Sequence, residues 1–153
     1  MSLSGLVKEI SQGGQHVAFR PSQIYAVATG AYTIFSVNGG AILVQALVGR
    51  ITAAAVGATT IATTLNAVAG EAAAVACNGA VGTLVWVPLN VAGTLTNIGA
   101  QPLADALLAP KGMAVGTQPA GPGLIVATYA VGTSLTMEWA MVYTKLSPSA
   151  YIT

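Results

Sequence analysis

Charged side chains are scarce in this chain of 153 residues: Lys, Arg, Asp and Glu make up 6% of it, against about a quarter of an ordinary soluble domain. The five Lys and Arg stand apart at positions 8, 20, 50, 111 and 145. Neutralising a phosphate backbone takes a basic patch, so no nucleic-acid partner is expected. The four carboxylates, Glu9, Glu71, Asp105 and Glu138, are equally dispersed. Calcium needs clustered acidic oxygens, and no two acids lie close in sequence.

Histidine and cysteine are scarcer still, with one of each, His16 and Cys77. A single cysteine excludes an intramolecular disulfide, and one His with one Cys cannot complete a four-ligand zinc site. A Ser-His-Asp arrangement could use only His16, and no serine sits in a G-x-S-x-G elbow. Cys77 has no cationic neighbour in sequence to activate it and reads as a small buried hydrophobe. The glycines at Gly79–Gly82 and Gly121–Gly123 are not followed by Lys and Ser/Thr, so they mark turns rather than a phosphate loop. The expectation is a non-enzymatic protein with no metal and no cofactor.

The opening Met1–Ile10, MSLSGLVKEI, lacks a basic segment followed by a long apolar one, so no secretory signal is read there and a cytoplasmic site of synthesis is expected. No charge occurs between Arg50 and Glu71 or between Glu71 and Asp105, and on that ground alone either window could span a bilayer. The first is broken by Thr52, Thr59, Thr60, Thr63, Thr64 and Asn66. The second is broken by Asn78, Gly79, Gly82, Pro88, Asn90, Gly93 and Asn97. Flanking Lys/Arg clusters and aromatic belts are missing too, so no membrane partner is expected.

What the chain has in abundance is small and β-branched apolar residues. Hydrophobic residues reach 54%, aromatics only 6%, and the formal net charge is +1. Such residues favour closely packed strands. A surface so apolar and so near neutrality promotes self-association, and we read it as intended assembly.

Along the chain, residues 1–25 hold Lys8, Glu9, His16 and Arg20 together with Gly13-Gly14 and Pro21. They read as an extended N-terminal arm with a helical turn at Leu6–Ile10, or alternatively as a disordered terminus. Residues 26–153 read as one β domain. Ala31–Val37 is a strand, and Asn38-Gly39-Gly40 is a hairpin signal because Asn and Gly tolerate positive φ. Ala41–Val48 follows, continuing through Arg50–Ala55 past a bulge at Gly49. Thr59–Val68 and Glu71–Cys77 are further strands, although alanine there also permits a helix over Ile51–Ala76.

Asn78-Gly79 is a second turn, and Ala80–Val87 a strand stopped by Pro88. Asn90–Thr96 and Met113–Gly116 are weaker strands, with a short helix over Pro102–Leu108 between them. Thr117–Gly123 is a loop and Leu124–Tyr129 a strand. In Ser134–Thr144 the alternation is clearest: Leu135, Met137, Trp139, Met141 and Tyr143 share one face. The opposite face carries Ala140 and Val142 among polar residues, which suits a second contact there. About eight strands at this spacing predict an all-β, jelly-roll-like sandwich or barrel.

Two segments, Gly39–Arg50 (GGAILVQALVGR) and Glu138–Thr153 (EWAMVYTKLSPSAYIT), resemble the small head decoration, or capsid cement, proteins of tailed bacteriophages. The resemblance rests on Gly39, Gly40, Leu43, Val44, Ala46, Leu47 and Gly49, then on Trp139, Tyr143, Ala150, Tyr151 and Thr153. It covers about the last two-thirds of the chain and does not reach residues 1–25. It implies a virion protein on the outer capsid surface, a homotrimer whose partners are the major capsid protein and its own copies, with no catalytic residues. On that reading Lys8, Glu9, His16, Arg20, Trp139 and Tyr143 are the capsid or subunit contacts. Deleting Met1–Arg20 should then abolish capsid binding and leave the trimer intact. A tail or fibre component and a small-molecule-binding β-barrel are the other functions compatible with these residues.

Overall fold

A computed structural model describes residues 3, 14–25, 30–54, 59–70, 74–76, 80–89, 96–98, 112–119, 121–131 and 135–153. Its twelve described strands are β1 (His16–Tyr25), β2 (Gly30–Asn38), β3 (Ala41–Ala53), β4 (Thr59–Leu65), β5 (Val68–Ala69) and β6 (Val75–Ala76), followed by β7 (Leu84–Val87), β8 (Thr96–Ile98), β9 (Met113–Gly116), β10 (Gly123–Val131), β11 (Leu135–Lys145) and β12 (Tyr151–Ile152). Sheet A runs β1-β11-β3-β7-β8 with β9 also on β3, and sheet B runs β12-β2-β10-β4-β5 with β6 also on β4. Every pairing is antiparallel.

The chain alternates between sheets over its first four strands and returns through β10 and β11. Each returning strand is inserted between two early ones. The resulting orders, 1-11-3-7 and 2-10-4-5, are those of a double-sheet jelly roll.

The long strand β3 organises sheet A. One edge pairs with β11 from Ile42 to Ala53, while the other is divided between β9 at Ala41–Val44 and β7 at Leu47–Arg50. Alternation sends Ile42, Val44, Leu47 and Ile51 inward with Met137, Trp139 and Met141 of β11. These meet Ile61, Leu65, Ile125, Ala127 and Tyr129 of sheet B in one core. Trp139 pairs with Gly49, and a Cβ there would lie 3.1 Å from two indole carbons. Gly49 therefore makes room for the ring. The ladder irregularities on β3 fall instead at Gln45 and Thr52, where the β11 register shifts.

The other face of β11 is buried as well. Ala140 and Val142 pack with Val48, Trp86 and Leu3, which is 1% exposed. This is the second contact that the half-polar face suggested, and Leu3 of the same chain supplies part of it. Beside this cluster, Arg50 and Glu138 face each other across β3 and β11 with Nε and Oε1 2.6 Å apart.

Three local expectations are corrected. Residues 16–25 belong to the sandwich rather than to an arm: β1 pairs with β11 along its length, with a register shift between Arg20 and Gln23 around Pro21. A strand edge is where proline is tolerated.

Asn38-Gly39-Gly40 does not close a hairpin, because β2 lies in sheet B and β3 in sheet A. Val37 and Ile42 are both fully buried, so the chain crosses the core's end between them. The segment after β11 supplies the hydrogen bonds at the crossing: Leu146 N and Ser147 N donate to Ala41 O (3.0 and 3.1 Å), and Ala41 N donates to Ser147 Oγ (3.0 Å). Gly39 and Gly40 have φ of 70° and 148°, and a Cβ on either would collide with Ser149 or Ser147.

Thr59–Val68 is likewise two strands, β4 and β5, turning at Asn66 (φ 51°) and Ala67 (φ 63°). Two positive φ values make the I′-like geometry that suits strand twist. An L-residue such as Ala67 is strained there by roughly 1–2 kcal/mol, whereas glycine is not. Ala67→Gly is expected to stabilise the fold by about 0.5–1 kcal/mol after glycine's larger unfolded-state entropy is counted, read as a higher urea midpoint.

The alternative helix over Ile51–Ala76 is excluded where the chain is described, since β4 occupies Thr59–Leu65. Asn78-Gly79, the helix over Pro102–Leu108 and all but the end of Asn90–Thr96 lie outside the described residues, as does Glu71–Cys77 apart from 74–76.

Candidate functional site

Among the described residues, β1 is the outer strand of sheet A on one flank of the sandwich, and β2 is paired on that side only at its end, where β12 meets Val37 and Asn38. Between the two edges lies a groove of about 340 Å³, lined by Val17–Pro21 of β1 with Phe35, Tyr143, Ile152 and Thr153. Three of the expected contact residues converge here. Arg20 reaches across from sheet A, its Nε donating to Ile34 O of sheet B at 2.8 Å. Ile34 is skipped where the β2–β10 register shifts, which leaves its carbonyl for a side chain to bind. His16 stacks on Tyr143, which it faces across the β1–β11 ladder, with ring centroids 5.4 Å apart and planes at 27°.

Trp139 does not belong to this surface. It is fully buried, because its position on β11 points it between the sheets. Its Nε1 donates to Tyr129 Oη at 3.1 Å, and Tyr129 stacks on Tyr25 at 4.3 Å. Burial of an indole is favourable when its N–H has a partner, and here it does. A capsid or subunit contact through Trp139 is therefore replaced by a core role. Tyr143 is nearly buried and meets the groove with one side. Lys8 and Glu9 lie outside the described residues.

Sequence reasoning passed over the groove's apolar members. Phe19, 41% exposed, lines it from β1, and Phe35 and Ile152 form the sheet B wall; Ile24, 67% exposed, lies further along β1 outside the groove. An exposed Phe and Ile flanking a proline in an edge strand were the available signal. The edges of β1 and β2, without a further strand partner among the described residues, the aromatic walls and the Arg20 guanidinium can hold an extended apolar segment. Among the described residues no three of His, Cys, Asp and Glu come together as a metal site would need. Nor is any described helix long and apolar enough to cross a membrane.

Burial raises the Tyr25 phenol above its ordinary pKa of 10.0, and hydrogen bonding to Tyr129 and Trp139 only partly offsets that. Burial raises Tyr143 in the same direction. A phenol that ionises more readily unfolded than folded contributes stability below pH 10 and loses it as pH rises past 10. Unfolding midpoints are therefore expected to be level approaching pH 10 and to fall above it. Tyr25→Phe should flatten that fall, measured by urea titration from pH 8 to 11.

Comparison with protein-family profiles, with curated proteins and with solved structures finds no match.

Proposed function

We propose that this chain is a non-enzymatic structural protein of a bacteriophage particle. It decorates the outer surface of the head as a homo-oligomer, three copies on the sequence resemblance, and braces the capsid lattice. The observation that carries the reading is the character of the surface: a jelly-roll body in which, among the described residues, the outer edge of β1 has no strand partner, on a chain with very few ionic groups. Joints made by apolar burial and strand pairing have little for salt to screen.

On this reading the groove beside β1 receives an extended segment of the major capsid protein, with Phe19, Arg20 and His16 at the contact. A ligand-binding barrel is less well supported, because Trp139, Tyr25, Tyr129 and Met137 fill the space between the sheets. The deletion that tests the contact cannot be Met1–Arg20, since it would remove half of β1.

The test is co-sedimentation of the purified chain with heads of the particle whose genome carries its gene, followed by electron microscopy. Saturable binding on the outside of the head is expected, weakened at least about tenfold in Phe19→Ser/Arg20→Ala. Binding to tails or fibres alone would move the protein to another part of the virion, and no binding to any virion part would overturn the proposal.

A further inference from the structure

Arg20 is the one charged side chain among the residues that line the groove, and its guanidinium is held without being neutralised. Of its five N–H donors, the one on Nε is given to Ile34 O at 2.8 Å. Among the described residues no carboxylate pairs with it, the ion pair there being Arg50–Glu138. The bond to Ile34 O fixes the guanidinium plane and leaves Nη1 and Nη2 as a fork of set direction. Across the ladder Arg20 faces Trp139, Ala18 faces Met141 and His16 faces Tyr143, so all three side chains leave β1 on the side toward sheet B. Val17 through Pro21 border the groove without a gap. Strand side chains alternate between faces, so five consecutive residues can border one groove only with their backbone edge. It is the edge of β1 turned away from β11, and among the described residues no strand pairs with it.

We propose that the segment received in this groove adds to β1 as a strand and carries an aspartate or glutamate opposite Arg20, with an aliphatic residue two positions away opposite Ala18. The inference rests on the docking of a capsid-protein segment in the proposed function and names the chemistry of that segment. The acid follows first from cost. Arg20 is half-buried in a groove walled by Phe35 and Ile152. A wholly apolar segment laid over it would bury a charge whose acceptor, among the described residues, is a single backbone carbonyl, and a buried charge without a counter-charge is costly. A carboxylate in the same place accepts from Nη1 and Nη2 as a bidentate pair. One guanidinium among apolar neighbours also suits one carboxylate better than a polyanion, which needs a basic patch.

Register supplies the spacing. Residues opposite each other on paired strands have Cβ atoms about 4.5–5.5 Å apart, which brings an Asp or Glu within reach of Arg20. The next position on the same face of the added strand, two residues on, meets Ala18, whose small side chain leaves room for an aliphatic one. Pro21 has no N–H to share, so strand addition ends before it and runs along His16–Arg20, about 16 Å of strand. The groove, about 340 Å³, is at the small end of the roughly 300–1,000 Å³ of ligand sites, which suits a short run of strand and no larger body.

Fluorescence anisotropy on the full chain tests the assignment, with overlapping labelled peptides that span the major capsid protein of the same particle. Both peptide ends are blocked, so that only side chains supply a carboxylate. Binding is expected for peptides with Asp or Glu two positions from an aliphatic residue. Changing that acid to its amide should weaken binding to the wild type about tenfold or more and leave binding to Arg20→Gln unchanged. Arg20→Lys should recover only part of the wild-type affinity, because lysine lacks the fork. The acid-to-amide change is made on the peptide, so it decides the matter even where an Arg20 variant fails to fold. Peptides that bind equally well as acid and as amide overturn the carboxylate. Binding of the chain to heads with no peptide bound overturns the strand addition. Either result leaves the proposed function standing, whereas a chain that binds neither heads nor peptides overturns both.

Discussion

Trp139→Ala is expected to lower the unfolding free energy by about 3–5 kcal/mol, read from urea denaturation at neutral pH. Three features put it near the top of that range. The indole is fully buried, so its whole transfer free energy is lost. Its neighbour across the ladder is Gly49, which has no side chain to move into the void. Tyr129 Oη loses the N–H that donates to it. Trp139→Phe retains most of the buried ring and should recover about half of the loss. A loss below about 1.5 kcal/mol for the alanine variant would mean that the indole is not the centre of this core.

The second large effect is expected at Arg50 and Glu138. With side chains 28% and 10% exposed, the pair sits between surface and interior. Glu138→Ala leaves the guanidinium half-buried beside the Ala140–Val142–Trp86 cluster without its carboxylate. A fully buried pair broken this way costs about 3–5 kcal/mol. The exposure of Arg50 brings the expectation down to about 2 kcal/mol. Replacing both partners by Arg50→Met and Glu138→Leu should return stability to within about 1 kcal/mol of wild type, because neither charge is then left alone. The double-mutant cycle measures the coupling directly, and additive single effects would show that the two side chains do not act as a pair.

Most of the sandwich is legible in the sequence because inward positions announce themselves. β2, β3, β10 and β11 carry aliphatic and aromatic residues at period 2, and their bounds agree with the reading to within a few residues. β1 is illegible for a physical reason. Its inward register positions include the polar His16, Arg20 and Gln23, of which Arg20 lines the groove, so HVAFRPSQIY never alternates. Only Tyr25, 1% exposed, reveals a buried end.

The Asn38-Gly39-Gly40 signal does not specify a strand pairing. It reports a backbone that visits positive φ, and a crossing between sheets needs that as much as a hairpin does. Which strand pairs with which is decided by side chains far away in the chain, and no local pattern encodes it. At the flank, the groove could not be read at all, since Arg20 and Ile34 O meet only once both sheets exist. Trp139 and Tyr143 were correctly placed on one face of β11; what the sequence left open is that this face looks inward.

The strand order also fixes a timetable. Among the described residues β1 pairs with β11 alone, and His16 must wait for Tyr143. At about 5–20 residues per second of synthesis, the first strand emerges on the order of ten seconds before its mate. During that interval Phe19 and Ile24 travel without a sheet beside them. A nascent chain is thus most open to wrong partners along β1, and pairing with β11 is what ends that exposure.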